Sequence, residues 1–161
     1  MSRSGAADLL QRFVRAMRGL KSLDAITLVA VSGGSDSMCL LDLTSRAAKS
    51  LAILPRVVHL DHGWRESSTL DAAFVADQAQ SLGLPFHVEK AEGLHISEAA
   101  GRSARLSLFA RIGQRVGTST VLLGHSADDQ AETILQKMLR GTGIDGHVIC
   151  CLSHDRYVSN Y

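Results

Sequence analysis

The residues best suited to chemistry form one short run, Ser32-Gly33-Gly34-Ser35-Asp36-Ser37. The run follows a stretch of β-branched residues and precedes an apolar helical pattern, so backbone N–H groups and the helix dipole together favour an anion there. Glycines at 33 and 34 let the backbone approach a ligand without a Cβ clash, and each serine hydroxyl can donate to a phosphate oxygen. The run predicts a phosphate-binding loop; an ordinary Ser/Gly strand-to-helix turn is the alternative.

Asp36 is the unusual member of this loop, which is neither a Walker A loop nor a G-x-G-x-x-G fingerprint. An acidic residue buried at a phosphate-binding turn makes sense mainly if a metal ion bridges it to the phosphates. Two more carboxylates, Asp128 and Asp129, fall at the predicted start of a later helix, where they suit magnesium or simply cap free N–H groups. We therefore expect Asp36, Asp128 and Asp129 to be magnesium ligands.

Further polar side chains follow a second apolar run, in His59-Leu60-Asp61-His62. The end of a parallel strand borders a nucleotide crevice, so a histidine and an aspartate there can bind the adenine and ribose edges. A metal site built from His59, Asp61 and His62, and purely structural capping of the strand end, are the alternatives. Arg102 and Arg105 lie three apart on one predicted helical face, suited to clamping phosphates or RNA, or merely solvated.

The elements that must position these residues alternate along the chain. Strands are predicted over 26–31, 56–60, 86–89 and 120–123, and helices over 36–49, 68–82, 97–116 and 127–140. Such alternation predicts an α/β, Rossmann-like fold, a doubly wound parallel sheet with helices on both faces. Ligands of such sheets bind beyond the carboxyl ends of the strands, where the residues above fall.

The two ends of the chain differ from this pattern. Residues 1–22 hold one acidic residue and five cations: Asp8, against Arg3, Arg12, Arg15, Arg18 and Lys21. Apolar residues keep helical spacing there, which predicts a leading basic amphipathic helix; a phosphate-binding segment and an Arg-rich targeting segment are alternatives. Residues 147–161 have no clear period, and no strand is predicted among them.

The composition of the 161 residues, 45% apolar and 20% charged, indicates one ordered globular domain. No apolar stretch approaches the roughly 20 residues that cross a bilayer. Cys39, Cys150 and Cys151 form no C-x-x-C pair, so neither a zinc site nor a disulfide framework is indicated. We expect a cytoplasmic protein that does not enter the membrane.

The S-G-G-x-D-S loop after an apolar strand resembles the PP-loop of the N-type ATP pyrophosphatases. These enzymes cleave ATP between the α and β phosphates, on an adenine nucleotide alpha hydrolase-like fold. The resemblance implies that the loop holds the leaving pyrophosphate while an acceptor oxygen attacks the α phosphorus. It also implies that Asp36 is a magnesium ligand or otherwise catalytic.

Later motifs resemble the tRNA(Ile)-lysidine synthetases more closely than other members of that family. The matched patterns are H-x-D-H-G-L-R, A-R-x-x-R-Y, G-H-x-x-D-D-Q-x-E-T and R-G-x-G, at residues 59–65, 101–106, 124–133 and 140–143. Trp64, Gly101 and Leu106 replace the usual aliphatic residue, alanine and tyrosine. The third pattern is shared with the 2-thiocytidine thiolases, but the lack of a C-x-x-C pair argues against that activity.

The resemblance covers about residues 24–146 and implies a PP-loop catalytic domain over 23–146. It implies adenylation of the C2 oxygen of the wobble cytidine in tRNA(Ile) with a CAU anticodon, using ATP and magnesium. Free L-lysine then attacks C2 and AMP leaves. The implied catalytic residues are Asp36, Arg102, Arg105 and Asp129. The implied nucleotide site comprises the loop 32–37 with His59, Asp61, His62 and His125.

Residues 147–161 match nothing in the family pattern, in which tRNA-binding domains follow the ATP domain. We therefore expect those domains to be absent, and the chain alone to bind ATP without making lysidine. The alternatives for the function are thus a truncated nucleotide-binding fragment, or another PP-loop tRNA-modifying enzyme such as a 2-thiocytidine synthetase.

Overall fold

The computed structural model describes residues 3–20, 23–61, 68–90, 98–124 and 148–150, with side chains over 7–20, 23–61, 70–90 and 105–124. The elements, in chain order, are α1 (Arg3–Arg18), β1 (Ile26–Ala30), α2 (Ser35–Leu51), β2 (Leu54–Asp61), α3 (Ser68–Ser81), β3 (Phe86–Lys90), α4 (Glu98–Val116), β4 (Val121–Leu123) and β5 (Val148–Cys150). Each element predicted within the described ranges is present, with its ends shifted by a few residues. The helix predicted over 127–140 lies outside them.

The strands form one parallel sheet in the order β3-β2-β1-β4-β5. The chain leaves the central strand β1 outwards through β2 and β3, and then crosses back to β4 on the other side of β1. The predicted doubly wound sheet is therefore confirmed. Because the direction of winding reverses between β1 and β4, the carboxyl ends of these two strands border a crevice.

The strand β5 is a correction to the prediction that no strand follows residue 146. Its residues Val148, Ile149 and Cys150 pair in parallel with β4 from Val121 to Leu123. Three apolar residues are too few to establish a period of two, so the strand is defined by its pairing partner and not by its own pattern.

Alternate strand residues pack on opposite faces of the sheet. On one face Val29, Val57 and Leu122 join the core formed with α2 and α3, and α1 packs over α2. On the other face Leu28, Val58 and Val121 pack with Leu108, Phe109 and Ile112 of α4. Right-handed crossovers explain the division, because the chain moves outwards through α2 and α3 and returns through α4.

The predicted leading helix is present as α1, and its apolar side faces the domain. Phe13 and Met17 are buried in the core, and the Arg18 guanidinium donates to the Ser50 carbonyl at the end of α2, at 3.1 Å. Among the described residues no helix is long and apolar enough to cross a membrane.

A carboxylate joins β1 to β4 at the sheet edge opposite the crevice. Asp24 Oδ2 accepts the backbone N–H groups of Ser119 and Thr120 at 2.7 and 3.1 Å, and the hydroxyls of Thr118 and Ser119 at 2.9 and 3.0 Å. These bonds, that from the Ser119 N–H foremost, lower the pKa of Asp24 to about 2, although partial burial opposes the shift. The charged form is thus part of the folded structure.

Asp24→Asn should lower the free energy of unfolding by about 1–2 kcal/mol at pH 7, because the charge-assisted bonds are lost. The folded pKa lies below the ordinary value of 3.8, so the carboxylate stabilises the fold above about pH 4 and loses this effect as the pH falls towards about 2. Urea unfolding between pH 7 and pH 3 should show the parent and the variant converging.

The matched control is Asp42→Asn, which removes an exposed carboxylate paired with Arg46 at 3.2 Å. Exposed pairs of this kind contribute about 0.5 kcal/mol or less. If the Asp24 and Asp42 variants lost equal stability at pH 7, the connection between β1 and β4 would not be the cause.

Candidate functional site

The predicted phosphate loop joins β1 to α2 at the carboxyl edge of the sheet. Gly34 is the N-cap of α2, and within the described chain no side chain caps this helix. The first helical bond runs from the Met38 N–H to the Gly34 carbonyl at 3.0 Å, so the N–H groups of Ser35, Asp36 and Ser37 precede the helical ladder. Such groups bind anions, and the loop therefore has the geometry of a phosphate site.

The two glycines of the loop have different roles. Gly33 has φ +93°, a left-handed conformation that residues with a Cβ adopt at a penalty. Gly34 has φ −73° and ψ 159°, ordinary extended values, and a Cβ there would meet only the Ser32 hydroxyl at 3.5 Å. Gly33 is thus required by the turn itself, whereas Gly34 keeps the exposed start of α2 clear.

Gly33→Ala should therefore destabilise the fold by about 1–2 kcal/mol. Gly34→Ala should change stability by less than about 0.5 kcal/mol, and yet weaken ATP binding about tenfold by adding a methyl group where phosphate approaches. Urea unfolding and ATP titration of both variants measure the two effects. A Gly33 variant as stable as the parent would refute the requirement for the left-handed turn.

The loop's serines differ from the expectation that all three hydroxyls are available to phosphate. Ser32 and Ser35 are exposed, but Ser37 is buried. The Ser37 hydroxyl donates to the Gly34 carbonyl at 2.9 Å and accepts the Ser32 N–H at 3.2 Å, with the Ser32 hydroxyl 3.1 Å away. The Ser37 hydroxyl thus holds the loop closed through these bonds. Its contact with phosphate stays a prediction.

The magnesium prediction assumes that Asp36 is buried, and this premise is wrong, because its side chain is exposed. It lies in the first turn of α2, where a carboxylate interacts favourably with the helix dipole, and its Oδ1 accepts the Ser35 hydroxyl at 3.3 Å. Its position therefore needs no metal to compensate for burial. An exposed carboxylate oxygen beside a phosphate site is nevertheless the kind of ligand that magnesium prefers.

The same acidic end of α2 affects its one cysteine. Burial, and then the carboxylates of Asp42 and Asp36, raise the pKa of the Cys39 thiol. Cys39 is therefore a protonated thiol at neutral pH, which excludes it as a ready nucleophile beside the loop.

A cleft of about 340 Å³ opens between the loop, the carboxyl end of the sheet and α4. Its lining comprises Ala30, Val31, Val58, Leu60, Phe109 and Leu123 on the apolar side, and Ser32, Gly34, Ser35, Asp36, Ser37, Arg105 and Gly124 on the other. An apolar wall beside a polar, anion-binding loop suits a ligand with a flat apolar part and a phosphate part. Arg105 and the loop, predicted to act together, line the same cleft.

Gly124 opens the pattern at residues 124–133, but no role in the site is predicted for it from the sequence. It follows β4, and a Cβ on it would lie 2.9 Å from the Ser37 Cα and 3.0 Å from the Asp36 carbonyl carbon and oxygen. Only a glycine lets the end of β4 pack this closely against the start of α2. The available signal was a glycine directly after a buried strand, but its neighbours could not be known.

His59 and Asp61 are buried at the end of β2, and neither is among the described residues that line the cleft. His59 Nδ1 lies 2.7 Å from the Val31 carbonyl oxygen. This ring nitrogen is therefore hydrogen-bonded to the backbone and is not available to a metal ion. This geometry favours the structural alternative for His59. Contact of either residue with a nucleotide stays a prediction.

Several predicted site residues lie outside the described part of the chain: His62, His125, Asp128 and Asp129. Arg102 lies in α4, and its side chain is not among those described. The predicted magnesium partners of Asp36, and the catalytic roles of Arg102 and Asp129, therefore stay predictions.

Comparison with known proteins identifies relatives of known activity. The tRNA(Ile)-lysidine synthase of Gloeobacter violaceus is 42% identical over 141 residues, which cover 87% of this chain and 43% of that protein. The tRNA(Ile)-lysidine synthase of Thermus thermophilus is 41% identical over 122 residues, 71% of this chain and 23% of that protein. The chain thus spans less than half the length of these relatives.

Among solved structures, the U34-tRNA thiolase NcsA from Methanococcus maripaludis, with its [4Fe-4S] cluster, superposes with a TM-score of 0.65. The alignment covers 85% of this chain and 51% of that one at 16% identity, so it demonstrates a shared fold alone. Residues 7–158 match the PP-loop domain, a family that uses ATP. With its loop, its parallel sheet and this match over nearly the whole sequence, the chain belongs to the PP-loop domain family.

Proposed function

We propose that the chain is the ATP-binding catalytic domain of a tRNA(Ile)-lysidine synthase. The observation that carries the proposal is the cleft of about 340 Å³, whose lining includes both Arg105 and the uncapped start of α2. The lysidine synthases at 42% and 41% identity support the choice of this activity within the family.

The reaction begins with ATP, whose phosphates contact the N–H groups at the start of α2, while its base lies on the apolar wall of the cleft. The C2 oxygen of the wobble cytidine attacks the α phosphorus, a new P–O bond forms, and the bond to the β phosphate breaks. Pyrophosphate leaves from the loop. The protein contributes position and charge: Arg105 stabilises the negative charge that develops on phosphorus-bound oxygens.

In the second step the amine of free L-lysine attacks C2 of the adenylated cytidine. A C–N bond forms, the C–O bond to AMP breaks, and the amine loses a proton. Magnesium, when bound, would be held by Asp36 with Asp128 or Asp129, and would neutralise charge on the phosphates. Asp36 fits this assignment because its exposed carboxylate lines the cleft beside the phosphate loop.

Exchange of labelled pyrophosphate into ATP tests the first step directly. We expect exchange with tRNA(Ile) that carries a CAU anticodon, and none with the same tRNA carrying a GAU anticodon. Incorporation of labelled lysine tests the second step. ATP binding without exchange would support the alternative of a nucleotide-binding fragment, and transfer of sulfur to cytidine would support a 2-thiocytidine synthetase instead.

A further inference from the structure

The peptide unit between Val31 and Ser32 is held at both of its polar ends. Its carbonyl oxygen accepts from His59 Nδ1 at 2.7 Å, and its N–H donates to the Ser37 hydroxyl at 3.2 Å. Since a peptide unit is planar, two bonds in opposite directions determine its orientation about the chain axis. This is the unit through which β1 passes into the phosphate loop.

The hydrogen bond to the Val31 carbonyl identifies which ring nitrogen of His59 is the donor. A carbonyl oxygen only accepts, so Nδ1 carries the proton and Nε2 is the remaining nitrogen. His59 is buried, with 4% of the residue exposed, and it lies with Val57 on the sheet face covered by α2 and α3. The cleft opens on the other face, beside α4, where Val58 and Leu60 are the β2 residues that line it.

The backbone beside this peptide adds a further constraint. The Val31 N–H donates to the Val58 carbonyl of β2 at 3.0 Å, so β2 contacts both sides of Val31 through Val58 and His59. The Ser37 hydroxyl that accepts the Ser32 N–H also donates to the Gly34 carbonyl at 2.9 Å. The orientation set at Val31 is therefore transmitted to the exposed start of α2.

We propose that His59 is a positioning residue: its Nδ1–H orients the Val31–Ser32 peptide from beneath the loop, and the ring does not touch the nucleotide. The effect of His59 on ATP binding rests on the proposed function. The orientation of the Val31–Ser32 peptide by His59 does not depend on any ligand. A loop whose N–H groups are already oriented binds phosphate without first being ordered.

Two replacements separate positioning from direct contact. In His59→Asn the amide nitrogen falls near the position of Nδ1 and can still donate to Val31. In His59→Gln it falls near the position of Nε2, where it could replace a contact with nucleotide but not the bond to the carbonyl. His87→Asn, on β3, is the matched control, because the His87 ring accepts from Arg115 at 3.3 Å and is not among the residues that line the cleft.

The rate of hydrogen exchange at the Ser32 amide, measured by NMR without nucleotide, reports how firmly the loop is held in the absence of ligand. We expect His59→Gln to speed this exchange about tenfold, the factor that one buried hydrogen bond is worth, and to weaken ATP binding by a similar factor. His59→Asn should keep both quantities within about threefold of the parent, and His87→Asn should change neither. Urea unfolding identifies any variant whose exchange is fast because the whole domain opens.

The opposite ranking would overturn the proposal: ATP binding kept by His59→Gln, lost by His59→Asn, and unchanged exchange at Ser32 in both. Equal acceleration in both variants would also overturn it, because the position of the donor would then be irrelevant. If the parent failed to bind ATP, the proposed function would fail, whereas the exchange of Ser32 would still decide the role of His59.

Discussion

Asp36→Asn should slow magnesium-dependent pyrophosphate exchange by about 100-fold or more, because a metal ion contributes several kcal/mol of charge stabilisation in such reactions. ATP affinity should stay within about fivefold, since the phosphates are held by backbone N–H groups and not by this carboxylate. Asparagine has nearly the same shape as aspartate, so the loop itself should persist. The exchange rate at saturating magnesium and ATP titration by calorimetry measure the two effects.

Asp42→Asn is the matched control, because Asp42 is exposed on the same helix and pairs with Arg46. Its exchange rate should remain within about twofold of the parent, since it lies among surface charges that contribute little. If Asp36→Asn kept a rate within a few fold of the parent, the carboxylate would have no role through magnesium. The loop would then act through its backbone alone.

Gly124→Ala should lower the free energy of unfolding by about 1–3 kcal/mol and weaken ATP binding about tenfold or more. The added methyl group would lie 2.9 Å from the Ser37 Cα and 3.0 Å from the Asp36 carbonyl, and these are backbone atoms that cannot rotate away. The end of β4 must therefore separate from the start of α2. Urea unfolding and ATP titration at a temperature where the variant is folded give both quantities.

Gly113→Ala separates the two effects of such a clash. A Cβ on Gly113 would lie 2.6 Å from the Thr118 carbonyl oxygen, which is also backbone, at the sheet edge away from the cleft. This variant should lose comparable stability and keep the ATP affinity of the folded protein. Equal losses of ATP affinity in the two variants would mean that general destabilisation, and not the shape of the loop, is responsible.

The sequence was sufficient to predict the sheet and the loop, because the strands and helices alternate and the strongest turn signal, the glycine pair, stands between β1 and α2. It was less informative about the orientation of β2. Val57 and Val58 are both apolar, as is usual for a parallel strand covered on both faces, so no alternation indicates which face a given residue joins. His59 was therefore assigned to the crevice, whereas its ring lies under the loop.

Two other differences depend on contacts between distant segments. The exposure of Asp36 depends on what packs against the first turn of α2, and a helical pattern in the sequence does not show those neighbours. The need for glycine at 124 follows from the approach of Ser37 and Asp36, nearly ninety residues earlier in the chain. Neighbours of this kind become known only when the strand order is known.

The strand order also has a consequence for synthesis of the protein. Leu28 of β1 pairs with Val121 of β4, so one edge of the central strand stays unpaired until a partner 93 residues later in the chain has been synthesised. At roughly 5–20 residues per second, this interval lasts about 5–20 s on the ribosome. During that time β1, β2 and β3 can pair, but the side of the crevice that β4 forms is still missing. The complete cleft therefore forms only after β4 has been made, and the nascent chain must protect an open sheet edge by other means until then.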